Sequence, residues 1–508
     1  MEKKKEIFVI IGSLLVIILS VTLAYFTVQI VGKGKEISAS SADLKIVFTS
    51  GSGNISSSNI EPGWSSGVNT FTVKNESKDT YKYNIVIKDL VNTFITTGYL
   101  QYKITSADGG YNMSEFKDVP KSTAAKDEIL AYSVEIAKGK THSYSIEFKY
   151  FNSSNDQSDD MGKELSGTLY IEKGTLPPTL VEKLLADNPT IKTRTAFNTV
   201  FTETNIGTLY KSTESRAGAA AKTVYYFAGD AKNNWVKFAG FYWRIIRTNH
   251  DGSIRMLYSG TSPDTEKGYI GESAFNSAED SPKYAGYMYG TDESLSESRT
   301  NTNDSTIKTY IDNWYSTNLS SYTKYISTEA VYCNDRQLDS GQTWSTSSRF
   351  NYITYTRLDW KGSGANANPT YDCADSHDAF SASNTDAKLT YPIGLMTADE
   401  INIAGGLAYN AGGLAYNNAS AYYYLNSAGG SVTGSTWWWS LSPMFWIGSY
   451  SYVWFVYGSD HPGILNSGDV NGEIGVRPAI SLKTCALWTS GDGTPETPYE
   501  ISTTSGCW

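Results

Sequence analysis

Apolar and polar positions alternate in short runs along much of this chain. Between residues 43 and 173 the runs at 44–48, 70–74, 83–87, 100–105, 134–136, 143–150 and 165–171 carry strand character. Phe71 and Val73 are interleaved with threonine and lysine, and Tyr144, Ile146 and Phe148 with polar residues. A period of two turns one face to a core and the other to solvent. Glu61-Pro62-Gly63, Asn75-Glu76-Ser77 and Lys138-Gly139-Lys140 punctuate the runs. Seven short antiparallel strands predict an all-β, immunoglobulin-like sandwich over residues 43–173.

A different pattern precedes it. Residues 7–28 are uncharged and mostly apolar, and Lys3, Lys4 and Lys5 stand in front of them. Such a run is long enough to cross a bilayer, and the positive flank places the N-terminus inside. Residues 1–31 are thus expected to form a cytoplasmic tip and a single transmembrane helix acting as a signal anchor, with a single-pass location in the cell membrane and an extracellular C-terminal bulk. A signal peptide cleaved near Ala24, after Thr22-Leu23, is the other reading.

Pro177-Pro178 breaks the last strand, and residues 174–223 read as a polar linker with a short helix around Leu180 and Leu184. The remainder, residues 224–508, opens with 235–238 and 241–247, followed by His250-Asp251-Gly252 and 254–258, an Asp-Gly hairpin signature. Two helices follow. Asp304 or Ser305 caps a face of Ile307, Tyr310, Ile311 and Trp314, and Thr397-Ala398-Asp399-Glu400 is a capping box. Ala404–Asn410 is repeated as residues 411–417, which reads as slippage in a tolerant loop.

Composition narrows the function. With 52 acidic against 42 basic side chains the net charge is -10 and no basic stripe stands out, which argues against a nucleic-acid partner. The cysteines are Cys333, Cys373, Cys485 and Cys507, all on the expected outer side. Loop closure favours pairing neighbours, Cys333 with Cys373 and Cys485 with Cys507, and the spacing does not suit zinc. No His-Glu-x-x-His occurs, and His250, His377 and His461 are scattered. The acidic loop 155–160 has oxygen ligands that could take calcium, but it lacks the glycine and bidentate glutamate of a calcium loop and reads better as a solvated turn. No cofactor is expected, and calcium stays unassigned.

Residues 435–482 crowd Trp, Tyr, Gly, Ser and Asp together with no nucleophile, base or metal spacing, the composition of an adaptable binding surface. Successive strand residues face opposite ways, so at least one of Trp437, Trp438 and Trp439 is expected to be buried. Trp439 is assigned to scaffold.

Two resemblances carry these readings further. Leu23-Ala24-Tyr25-Phe26-Thr27, Glu61-Pro62-Gly63 ahead of Thr70-Phe71-Thr72-Val73-Lys74-Asn75, and Gly167-Thr168-Leu169 resemble the camelysin-like surface and matrix proteins of Gram-positive bacteria. Protease activity, which that family has been credited with, has no matching residues here. Phe241-Tyr242-Trp243-Arg244-Ile245, Gly394-Leu395-Met396-Thr397-Ala398-Asp399-Glu400, Trp439-Ser440-Leu441-Ser442-Pro443 and Gly475-Val476-Arg477-Pro478-Ala479 resemble C-type-lectin-like domains of the formylglycine-generating-enzyme branch. That resemblance implies an α+β domain over residues 224–508, with Arg477 a structural arginine that meets an internal carboxylate or carbonyls. It does not decide function, because the fold hosts enzymes and binders alike. The oxidase chemistry of the branch would need a close cysteine pair, which is not present. Some domains of this branch are diversified in one terminal segment, which here would be residues 445–469.

The function expected from the whole is a bacterial cell-surface binding protein or adhesin, not an enzyme, whose head meets a protein or glycan ligand through Tyr450, Tyr452, Tyr457, Asp460, His461 and Asn466. A structural matrix or fibre subunit and a degenerate formylglycine-generating-type enzyme are the alternatives.

Overall fold

The computed structural model describes the backbone of residues 26–30, 35–38, 45–50 and 55–57, and residues 60–507 apart from 78, 161, 202, 264, 292–293, 361–366 and 410–432. The chain divides into two compact units, Met1–Pro177 and Pro178–Trp508.

Two sheets form the first unit. One has the order Ile55–Ser57, Phe26–Ile30, Leu165–Lys173, Tyr81–Asn92, Ser122–Ile136; the other runs Lys35–Ser38, Lys45–Ser50, Asn69–Asn75, Thr141–Tyr150, Leu100–Ser106, Lys117–Asp118. Burial alternates along Asn69–Asn75 and Thr141–Tyr150, as the period-two pattern requires. Ile85, Ile87, Leu169 and Ile171 of the first sheet share one core with Phe71, Val73, Ile146 and Phe148 of the second, the arrangement of a sandwich. The start of Ser122–Ile136 escapes sequence reading because residues 123–127 are exposed and carry no alternation.

The single-pass anchor is corrected. Phe26–Ile30 is a strand, paired in parallel with residues from Leu165 to Leu169, so Phe26, Thr27 and Val28 do not end a helix. Aromatic and β-branched residues suit a strand as well as an apolar run, and here the strand is paired on both sides, with Leu165–Lys173 and Ile55–Ser57. Among the described residues no helix is long and apolar enough to cross a membrane. Residues 7–25 lie outside the described residues. The single transmembrane span and the single-pass membrane location expected from it are given up with the anchor.

One buried polar group in this unit gives a pH prediction. His142 is 5% exposed, and its Nδ1 lies 2.8 Å from the Tyr83 hydroxyl. Burial lowers its pKa below the ordinary 6.5, partly offset by the Asp108 carboxylate. A histidine held neutral in the fold binds its proton more readily once unfolded, so its contribution is complete above pH 6.5 and is lost as pH falls toward the folded pKa. The thermal transition of this unit should therefore drop between pH 7.5 and 5. In His142→Gln, scanning calorimetry should show a smaller drop, and an identical drop would contradict the assignment.

The second unit opens with the helix Leu180–Asp187, whose capping box joins Thr179 and Glu182. Leu180, Leu184 and Leu209 enter the main core of this unit, and Thr208–Arg216 and Ala219–Tyr226 are strands of its largest sheet. Residues from Pro178 to 223, expected as linker, are thus built into the unit. The helix expected around Leu180 and Leu184 is present; the strands Thr208–Arg216 and Ala219–Tyr226 were not expected, because polar and charged residues interrupt their apolar positions. The largest sheet also holds the hairpin Trp235–Phe238 and Phe241–Thr248, then Ile254–Tyr258, Pro478–Leu482 and Ile393–Leu395. A second sheet is built on Trp438–Trp446, Ser451–Val456 and Ile464–Asp469.

The two expected helices are Thr306–Asn318, capped by Ser305, and Ala398–Ala404, closed by the Thr397–Glu400 capping box. Helices are short, and among the described residues strand makes up 39% against 12% helix, so the α+β expectation gives way to a mostly β molecule. The first heptad repeat is not a loop: Ala404 ends a helix and Leu407–Ala408 is a strand parallel to Ile464 and Leu465. Its second copy, residues 411–417, lies outside the described residues. The disulfides formed are Cys333–Cys373 and Cys485–Cys507, the neighbour pairing.

Candidate binding surface

The strands Trp438–Trp446, Ser451–Val456 and Ile464–Asp469 run antiparallel, with Trp439 opposite Phe455 and Phe455 opposite Asn466. Trp438 and Trp439 point to opposite faces, and each is 1% exposed because both faces of this sheet are covered. On one side the guanidinium of Arg477 lies 5.0 Å from the Trp438 ring centre and donates from Nε to the Tyr258 carbonyl at 3.2 Å. On the other, Trp439 donates from its indole to the Ser273 carbonyl at 2.9 Å and meets Phe275 edge-on. Both act as scaffold. Gly468 is required beside Trp439, since a Cβ there would stand 2.9 Å from the Trp439 ring.

Just beyond the end of these strands the same face comes to the surface. Trp437, two residues before Trp439 and so on its side of the sheet, is 37% exposed. Its ring lies on Phe455 at 4.8 Å with 8° between planes, and Tyr457 meets it edge-on at 4.9 Å. The turn that follows Tyr457 brings Asp460 back, and the indole N–H donates to the Asp460 carboxylate at 3.3 Å. His461 stands edge-on to Tyr457 at 5.1 Å, and Asn466 donates to the Tyr457 hydroxyl at 2.7 Å. Four of the expected contact residues, Tyr457, Asp460, His461 and Asn466, are therefore gathered around a half-open tryptophan. Tyr457 itself is buried at 7% and acts as a wall of the patch.

Tyr450 and Tyr452 are not part of it. They lie at the opposite end of the same strands, where Trp446 faces Ser451. Tyr450 is 40% exposed, near Ile447 at 36%. Tyr452 packs on Phe445 at 4.4 Å, and burial and then Asp469 raise its phenol pKa.

A concave feature of this unit is charged. Glu214, Arg247, Arg255, Arg357, Asp335, Asp399 and Glu400 line a cleft with about 20 Å³ of space for water. Glu400 accepts from Arg247 Nε at 2.8 Å and Arg255 Nη1 at 2.6 Å, and Arg357 grips Asp399 with two bonds of 2.8 Å. Burial alone would raise the carboxyl pKa values of Glu214 and Glu400, but the arginines outweigh it and hold both below the usual value. With Glu214 and Glu400 paired to arginines and room for about one water, these residues form a buried ion network.

The remaining chemistry-bearing residues stay apart. Among the described residues no group of three or more His, Cys, Asp or Glu side chains is placed to hold a metal. In the acidic loop, Asp160 is buried and accepts from the Ile95 and Thr96 amides and the Tyr150 hydroxyl, so this carboxylate is spent on the fold. His250 contacts the Ala220 carbonyl, and His377 pairs with Asp375.

No family model matches the chain. No curated protein matches it either. Among solved structures the chain is similar to a family 123 glycoside hydrolase from Clostridium perfringens described for glycolipid glycan hydrolysis, at 8% identity over 32% of this chain and 37% of that one, with a TM-score of 0.12. A likeness of that size carries no argument about fold or chemistry.

Trp437 is the surface residue that sequence reading left out. The signal was present: the alternation that buries Trp439 puts Trp437 on the same face, and Ser435 and Thr436 before it have no strand character.

Proposed function

We propose that this chain is an extracellular binding protein, and that its ligand, a glycan or a protein, is met by Trp437 together with Asp460, His461 and Asn466. The observation that carries this is the pre-set tryptophan. Its ring is held by Phe455 beneath and by Asp460 at the N–H, so little side-chain freedom remains to be lost on binding. Large rigid aromatics bordered by small polar groups are the usual anchors of binding surfaces. Two disulfides support an oxidising compartment.

The alternatives have less behind them. Cys485 and Cys507 are joined to each other, which leaves the formylglycine-type reading without a thiol. A fibre built by strand addition would use a sheet edge, and Ser122–Ile136, outermost in its sheet, is broken by four register shifts and carries Lys126, Asp127 and Glu128, features that discourage added strands.

The test is binding of the full chain to an array of glycans and surface proteins. Some member should be retained, and Trp437→Ala should weaken it at least 10-fold with unchanged circular dichroism. Folded protein that binds nothing, or binding indifferent to Trp437, would overturn the proposal.

A further inference from the structure

Resting on that reading, we infer that the ligand of the Trp437 patch is a neutral glycan, one pyranose ring of which lies flat on the open face of the indole. One face of Trp437 is taken by Phe455 and an edge by Tyr457, so the 37% exposure is supplied mainly by the opposite face. A flat apolar surface of that size matches the C–H face of a pyranose. Asp460 lies at the rim of the ring, fixed by its bond to the indole N–H, and is itself exposed. A carboxylate there can accept from hydroxyls on the edge of a sugar lying over the ring, and a charge-assisted bond of this kind is about twice as strong as a neutral one.

Charge decides between kinds of sugar. Among the described residues the patch is made by Trp437, Phe455, Tyr457, Asp460, His461 and Asn466, which include one carboxylate and no lysine or arginine, on a chain of net charge -10. Uronic, sialylated or sulfated sugars would meet like charge without a cation to pair them. A cationic ligand would sit over the ring centre, whereas Asp460 is tied to the N–H edge. A peptide added as a strand would need backbone groups, and the patch presents side chains. Nor does this recognition require a metal, because the donors and acceptors are all protein groups.

The experiment uses the full chain on immobilised neutral oligosaccharides of hexoses and N-acetylhexosamines, beside sialylated and sulfated counterparts, a choline-bearing surface, and a set of proteins stripped of glycans. Expected is retention by at least one neutral glycan, undiminished in EDTA, with no comparable retention by the charged counterparts. Titration calorimetry with that glycan should show a loss of 30-fold or more for Trp437→Ala, less than 10-fold for Trp437→Phe, and 3- to 10-fold for Asp460→Asn. Trp437-dependent binding to stripped proteins, to choline or only to anionic glycans would overturn the sugar assignment while leaving the binding surface standing. Binding to nothing, or neutral-glycan binding unchanged in all three variants or abolished by EDTA, would overturn the inference, and in the first case the binding reading as well.

Discussion

Glu400→Gln should destabilise the second unit by about 3–5 kcal/mol, the usual cost of removing one partner from a buried ion pair. Glu400 is 2% exposed and serves two structures at once. One carboxylate oxygen closes the capping box by accepting from the Thr397 amide at 3.0 Å; the other accepts from Arg247 and Arg255, themselves 3% and 1% exposed. A glutamine fits the space but can offer its oxygen to only one of these sites. If the oxygen keeps the cap, its amide N–H groups point at guanidinium donors, and Arg255 is left with a buried, uncompensated charge. The neighbouring pair of Arg247 with Glu214 at 2.5 Å softens this mainly for Arg247, and less for Arg255, which Glu214 does not hydrogen-bond. Tryptophan fluorescence in a denaturant titration reports the unit selectively, since Trp64 is the one tryptophan before Pro178. The acid limb should change too. Because Glu400 has a lowered pKa in the fold, its contribution is complete above the ordinary 4.5 and is lost as pH falls through the folded value, so the variant should be less sensitive to pH below 4.5. A loss under 1 kcal/mol would mean the network contributes little to the fold.

Glu400 also shows where sequence reading stops. Its capping role was visible because Thr397 lies three residues away and the backbone enforces the geometry. Its role in the ion network was not: Arg247 and Arg255 face each other across one hairpin, but Glu214 comes from another strand, and only the tertiary fold brings that strand and the helix Ala398–Ala404 to them. The same division holds elsewhere. Strands such as Asn69–Asn75 were legible because one face is dry and the other wet. An apolar run like 7–28 has no such alternation, so its end at Phe26–Val28 could be assigned to a helix although it pairs as a strand. Within the patch, composition pointed at Tyr457, Asp460, His461 and Asn466, yet it could not separate them from Tyr450 and Tyr452, which only register sends to the other end of the strands.

Trp439→Ala is expected to cost about 3–5 kcal/mol, the range for emptying a large aromatic site in a packed core. The ring is 1% exposed, bonded through its indole to Ser273, and bounded by Phe275, just after the strand Glu272–Ser273, and by Gly468. Gly468 has no side chain to collapse into the void, so relaxation should be poor and the cost should sit toward the upper end. Trp439→Phe separates the two contributions: it keeps much of the packing but leaves the Ser273 carbonyl without its donor, which should cost about 1–3 kcal/mol. The functional consequence reaches further than stability. Phe455 pairs opposite Trp439 and carries Trp437 on its ring, so a cavity at Trp439 removes a cross-strand neighbour that helps hold Phe455 and the open indole in place. Ligand affinity should therefore fall in Trp439→Ala even where the protein remains folded, and fall less in Trp439→Phe. Affinity that tracks Trp437 alone, with Trp439→Ala folded and binding at full strength, would show that the exposed ring does not depend on the buried one beneath its neighbour.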